Sequence, residues 1–300
     1  MSYSFLRESK LYIVYGGNRY RIYTSSAIAF NQTFAEQSYS VKTLHDQSKM
    51  FEGSNITKAN PASFSFDVPL TTQKDESIVL TLASDLSSSN TINSFDMYVQ
   101  TGSSTFKLEG AVITSASFDF IPENQFTMRV EGEGIKLTRA GDESFTIPGN
   151  AQSESATRTP LIVYPTVTLN DGSAKNMANI LSVNLTIQNE MEWTPYETLH
   201  DSLNSITMFP SAHTVGKRII SGEIRQYQTD NNVAQFDDFS TNTSLTITAK
   251  NVSGDANFLE VEINPVMYTA RMQPEEVYTQ SYDFRSLDNT DPVSTQITYS

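Results

Sequence analysis

The chain has 300 residues, 34 acidic against 20 basic side chains, a net charge of −14 and no cysteine. With 38% hydrophobic and 18% charged residues it can close hydrophobic cores, which excludes a disordered tail, a coiled-coil rod, a disulfide scaffold and a Cys-based metal site. Its apolar runs, such as Leu11 to Tyr15 and Leu161 to Tyr164, are far shorter than the roughly 20 residues of a membrane-spanning helix, and no basic cluster beyond Lys217-Arg218 offers DNA phosphates a grip.

Residues 1–10 lack the apolar core of a secretory signal, so the chain is expected to act where it is made. Alternation with period two predicts strands at Leu11-Tyr-Ile-Val-Tyr15 and Ser63-Phe-Ser-Phe-Asp-Val68. Between them residues 35–62 are polar and read as a long loop, a length that usually marks function. Ile78, Leu82 and Leu86 fall at helical spacing behind Asp75 and Glu76, which predicts a helix over 74–86. Residues 111–137 read as a hairpin turning at Pro122-Glu-Asn-Gln125, with Phe118 and Phe120 on one face and Ser117 and Asp119 on the other. Residues 146–159 are small and polar and read as a linker. After it come a strand at Val183-Asn-Leu-Thr-Ile187, a second long polar stretch over 188–218, and a weaker helix over 233–239 behind Asp230-Asn-Asn232. A strand at Leu245-Thr-Ile-Thr248 follows. The Asn-x-Ser/Thr matches, such as Asn31-Gln-Thr33 and Asn184-Leu-Thr186, read as ordinary polar sequence without glycan.

The chain also repeats itself. Thr43-Leu-His-Asp46 recurs as Thr198-Leu-His-Asp201, and Met50-Phe51 as Met208-Phe209. Phe30-Asn-Gln-Thr-Phe34 aligns with Val183-Asn-Leu-Thr-Ile187 at an offset of 183 − 30 = 153. Pro122-Glu-Asn-Gln-Phe-Thr127 aligns with Pro274-Glu-Glu-Val-Tyr-Thr279 at 274 − 122 = 152, an offset that runs without a gap back to Gly102 and Gly254. Collinear anchors of this kind predict a duplication. The expected organisation is a first domain over 1–145, the linker over 146–159 and a second domain over 160–300. Each domain is mainly β, a sandwich or barrel with one short helix, and residues 261–285 should form a hairpin around Pro274.

Chemistry is sparse. Nucleophile elbows, phosphate-binding loops and His-Glu-x-x-His are missing. His45-Asp46 and His200-Asp201 with His213 offer too few ligands for zinc and suit local or intersubunit hydrogen bonds. The carboxylate pairs Glu131/Glu133, Glu190/Glu192, Asp237/Asp238 and Glu275/Glu276 could serve a glycosidase. Glu131 and Glu133 share a strand face, however, which fits an acidic stripe on a solvated sheet. No enzyme activity and no cofactor are expected.

The opening Met1-Ser-x-x-x-Leu-Arg7, the polar stretch leading to Ser63-Phe-Ser-Phe-Asp-Val-Pro-Leu70, and the segment from Gly110-Ala-Val-Ile to Gly132-Glu-Gly-Ile-Lys-Leu137 resemble the tail tube proteins of long-tailed bacteriophages. The resemblance is closest to the subgroup with two tandem tube domains, in which three chains make a pseudohexameric ring. Thr194-Pro195 also looks like the second tube domain of that subgroup. Because it runs to about residue 300, the sequence is expected to be without the immunoglobulin-like domain that some members carry, so tail-surface decoration is not implied. The resemblance implies a virion protein, made in the host cytoplasm, whose rings stack into a hollow tube with an acidic lumen. Its implied partners are itself, a tape measure protein, distal tail or baseplate proteins and genome DNA in transit, with no membrane. Ring-to-ring contacts are expected at Tyr39, His45, Asp46, Met50 and Phe51 in the first polar stretch. Their counterparts are Trp193, Tyr196, His200, Asp201, Met208 and Phe209 in the second. A tail terminator or baseplate-proximal tube protein shares these features, as, more distantly, does a glycan-binding or polysaccharide-degrading β-sandwich.

Overall fold

The computed structural model describes residues 9–42, 50–84, 92–121, 124–170, 174–193, 209–210, 212–228, 243–251, 257–274, 276–286 and 297–299. The fold is mainly β. The first part of the chain carries β1 (Lys10–Tyr15), β2 (Asn18–Ile22), β3 (Ala29–Asn31), β4 (Phe34–Lys42), β5 (Met50–Ala59) and β6 (Ala62–Pro69). After helix α1 (Ser77–Ser84) come β7 (Phe95–Gln100), β8 (Thr105–Phe120), β9 (Thr127–Gly134), β10 (Lys136–Gly141) and β11 (Asn150–Ala151). The second part carries β12 (Val163–Asn170), β13 (Ala174–Asn176), β14 (Ile180–Trp193), β15 (His213–Tyr227), β16 (Thr243–Asn251), β17 (Asn257–Gln273), β18 (Thr279–Ser286) and β19 (Ile297–Tyr299).

Alternation fixes which face each strand buries. In β6, Ala62, Phe64, Phe66 and Val68 are buried while Ser63, Ser65 and Asp67 face outward. A one-residue slip would expose the two phenylalanines and the valine, at about 1.5–3 kcal/mol each, so the register is set by roughly 5–9 kcal/mol. The same rule buries Phe118 and Phe120 on β8, where they pack against Phe126. The hairpins expected over 111–137 and 261–285 are present as β8·β9 and β17·β18.

Two strands change sheets midway. The first half of β8 lies between β7 and β10 in an outer sheet that continues through β1, β2 and β11. Its second half lies between β9 and β14 in an inner sheet. The corner is Gly110, where φ is 58° and a Cβ would stand 2.6 Å from Ile135 Cδ1, so both the backbone angle and the close approach require glycine. β17 behaves likewise, pairing with β16 and β19 before Asn264-Pro265, with both β16 and β18 at Val266, and with β18 alone from Met267 on. Proline has no N–H to give a ladder, so it belongs at such a corner.

The pairings of the first part recur in the second. β1·β2, β1·β7, β7·β8 and β8·β9 correspond to β12·β13, β12·β16, β16·β17 and β17·β18. Likewise β3·β6, β6·β9 and β8·β10 correspond to β14·β15, β15·β18 and β17·β19. The ladders correct two of the sequence offsets. Phe30 stands opposite Phe64 and Leu185 opposite Gly222, so β3 matches β14 at 185 − 30 = 155. Ser117 opposite Arg129 matches Arg271 opposite Ser281, so the inner half of β8 matches β17 at 271 − 117 = 154. Each differs by two from the sequence offset, which keeps the same side chains facing out.

Other expectations also change. α1 covers Ser77–Ser84 instead of 74–86: Lys74 takes a φ of 62°, and the buried Glu76 turns back to accept the Thr71 N–H at 2.5 Å and hydroxyl at 3.0 Å. Ile78 and Leu82 are buried as the spacing requires; Leu86 and the weaker helix over 233–239 lie outside the described residues. Most of the described residues within the two expected loops are strands. β4 and β5 form a separate two-stranded ladder, and the distal part of β14 pairs with that of β15, from Gln188 opposite Ile219 to Trp193 opposite His213. Polar residues on both faces of an arm erase the in-and-out contrast that makes a strand legible.

Candidate functional site

The inner sheet runs β3-β6-β9-β8-β14-β15-β18-β17, eight strands with four from each part of the chain. One face closes on the core. On the other face of the first part stand Asn31, Ser63, Ser65, Asp67, Ser115, Ser117, Asp119, Arg129, Glu131 and Glu133, and on that of the second part Asn184, Thr186, Ser221, Glu223, Arg225, Thr269, Arg271, Asp283 and Arg285. These are short hydroxyls, amides and charged groups. Six are acids and four are arginines, 4 − 6 = −2 for this set, and Arg129 lies 3.0 Å from Glu131 while Arg271 pairs with Asp283. Such exposed pairs add little stability. They do offset arginines that would otherwise hold phosphates.

Two shallow depressions on this face occupy corresponding places. One is lined by Asn31, Ser63, Phe64, Glu131 and Gly132, the other by Asn184, Ser221, Gly222, Asp283 and Phe284. Glu131 and Glu133 do share the open face, as their spacing implies. Their partners are Arg129 and the indole of Trp193, whose Nε1 donates to Glu133 Oε2 at 2.5 Å. Among the described residues no three His, Asp or Glu side chains gather around a metal position. The perturbed titratable groups lie elsewhere. Burial lowers the Lys107 ammonium, but its hydrogen bond and charge attraction to Asp96, 3.0 Å away, outweigh this and leave its pKa raised. Burial raises the phenols of Tyr98 and Tyr23, and Glu154 adds to the effect at Tyr23.

The two parts join through a β-ladder. β8 and β14 pair antiparallel from Ser115 opposite Gln188 to Phe120 opposite Val183, burying Phe118 against Leu185. Beyond the ladder the β14·β15 arm reaches over the first part. Asn189, 3% exposed, donates to the Ile113 carbonyl at 3.1 Å. It accepts from Arg218 Nε at 2.6 Å, and Arg218 Nη1 donates to the Ser84 carbonyl at the end of α1 at 2.9 Å. A cation on the last carbonyls of a helix is favourable both as a cap and against the helix dipole. The pair sits at either end of the expected loop 188–218, and sequence reading missed it because its partners come from α1 and β8.

Of the expected ring-to-ring residues, Trp193 and Phe209 contact the same chain. The Trp193 ring lies 5.3 Å from that of His213, tilted by 59°, and its indole reaches Glu133, while Lys136 Nζ sits 4.7 Å over the Phe209 ring. Tyr39, Met50 and Phe51 belong to the β4·β5 arm, opposite Gly53, Lys42 and Val41. His45, Asp46, Tyr196, His200, Asp201 and Met208 lie outside the described residues.

The open face is thus a polar surface spanning both parts of the chain, with a chain-internal ladder at its centre. No curated protein matches the chain. Residues 1–300 match the model of the bacteriophage baseplate tube protein family. The chain therefore belongs to that family, whose members are structural components of the phage tail tube and hence of the virion.

Proposed function

We propose that three copies of this chain, each with two duplicated tube domains over 1–145 and 160–300, close into a pseudohexameric ring. These rings stack into the hollow tube through which phage DNA leaves the capsid. The observation that carries the reading is the eight-stranded inner sheet with its polar open face. Three copies supply 3 × 8 = 24 strands, which at a spacing of about 4.8 Å and a tilt of about 40° close at a backbone diameter of roughly 48 Å, or roughly 38 Å inside the side chains. Two copies supply 16 strands and leave roughly 22 Å. Only the larger bore clears a hydrated duplex. The open face then lines it, and its excess of acids denies DNA the contacts that would pin it.

In this reading the bore houses a tape measure protein until DNA enters, and the chain meets distal tail or baseplate proteins at the end of the tube. The family description favours a position near the baseplate over a tail terminator. Negative-stain electron microscopy over a concentration series tests the proposal. Rings or tubes with three-fold symmetry and a six-fold outline are expected; a chain that stays monomeric at every concentration, alone and with its baseplate neighbours, would count against it.

A further inference from the structure

Resting on the ring reading, we infer the contact that joins one copy to the next: the outer edge of β17 pairs with β3 of a second copy in the register that β8 and β14 already use within one chain. Three observations lead there. The inner sheet ends in two edges, since among the described residues β3 pairs only with β6, and residues 267–273 of β17 only with β18. These edges correspond, strand for strand, to the two strands joined inside the chain: β17 matches β8 at 154 and β3 matches β14 at 155. The chain therefore displays in its own middle how an edge of the first kind receives one of the second.

Carrying the internal ladder across by those offsets fixes the register. Ser117 opposite Thr186 becomes Arg271 opposite Asn31, Ser115 opposite Gln188 becomes Thr269 opposite Thr33, and Phe118 opposite Leu185 becomes Met272 opposite Phe30. The last pair is informative. Met272 is 47% exposed in the isolated chain, and the register places an aromatic ring from the next copy beside it. Thr269 and Arg271 remain on the open face with Asn31 and Thr33, so the polar lining continues across the seam.

The absence of cysteine makes the register directly readable. Directly opposed positions on antiparallel strands hold their Cβ atoms about 4.5–5.5 Å apart, near disulfide range, whereas positions two residues out of step are about 7–8 Å apart. The double variant Asn31→Cys/Arg271→Cys, oxidised after assembly, is expected to give covalent dimers and closed trimers on non-reducing gels. Asn31→Cys/Thr269→Cys is expected to link at least tenfold less, and the single variants not at all. Phe30→Cys/Met272→Cys reports the same register from the core side if the first pair fails to fold. Rings that form but link preferentially through Asn31/Thr269, or through none of these pairs, overturn the register while leaving the ring. Absence of rings from the unmodified chain overturns both.

Discussion

Phe64 faces Gly132 across β6 and β9, and at the corresponding place Gly222 faces Phe284 across β15 and β18. The same cross-strand pair occurs in both parts with its members exchanged. A Cβ built on Gly132 would lie 2.2 Å from Phe64 Cζ and 2.3 Å from the Val112 carbonyl oxygen, and one on Gly222 2.6 Å from Phe284 Cζ and 2.0 Å from the Asn184 carbonyl oxygen, so ring and backbone together close each site to a second side chain. Gly132→Phe should therefore destabilise by about 3 kcal/mol or more, and Phe64→Gly by about 4 kcal/mol. The double variant should recover the part of the loss that the Phe64 ring causes but not the part due to the Val112 carbonyl, giving a coupling of about 1 kcal/mol or more in a denaturant-melt cycle. Simple additivity of the two single changes would refute the exchange. Lys107 supplies a second test. A raised pKa in the fold means its contribution is complete below the unfolded value near 10.4 and fades as pH climbs through the folded one, and the raised phenols of Tyr23 and Tyr98 act in the same direction. The melting temperature should stay level from about pH 7 to 9.5 and fall above pH 10. Lys107→Met should soften that fall, as pH-dependent thermal melts would reveal.

Among the elements, the β14·β15 arm holds α1 by its last carbonyls, and the grip depends on Arg218. Arg218→Met should leave Asn189 buried with a lost partner, at a cost of about 2–4 kcal/mol. The loss should appear first as faster hydrogen exchange of the amides in 77–84, with the β8·β9 amides still protected. The first hairpin and the burial of β6 were readable in the sequence because Phe and Val alternate there with Ser and Asp and a proline marks the turn, and the hairpin around Pro274 was readable through the repeat. The arms were not, for strands such as Phe34–Lys42 and His213–Arg218 bear polar groups on both sides and lack a period. The corner at Gly110 and the grip of Arg218 escaped for another reason: each is defined by residues distant in the chain.

On the scale of the molecule, the β14·β15 arm is laid over a neighbouring sandwich, while its counterpart β4·β5 forms a ladder of its own. An isolated two-stranded ribbon is marginal in water, which makes β4·β5 the element with most to gain from a second copy. Replacing residues 37–55 by a short glycine turn should preserve the melting temperature within about 3 °C, since a change of 1 kcal/mol moves a domain of this size by only a few degrees. It should abolish tubes in electron micrographs; normal tubes from this variant would show the arm to be dispensable. The open-face chemistry was partly legible, as the acidic stripe of Glu131 and Glu133. Its extent was not, because Ser63, Asp119, Asn184 and Asp283 share a surface only after strands from both parts have paired.

The segment between the two parts has a further consequence. It is strapped to the first sandwich along its length: Gln152 donates its N–H to the Arg19 carbonyl, and Ser155 bonds to Asp75. The Arg158 guanidinium carbon lies 3.2 Å from the centre of the Tyr23 ring, and Leu161, fully buried, is hydrogen-bonded between Leu70 and Phe126. A short tether of this kind presents β14 to β8 at an effective concentration in the millimolar range, far above that of free subunits in a cell. In the proposed ring, half the seams would thus form as the chain folds, leaving only the remainder to the encounter of separate molecules.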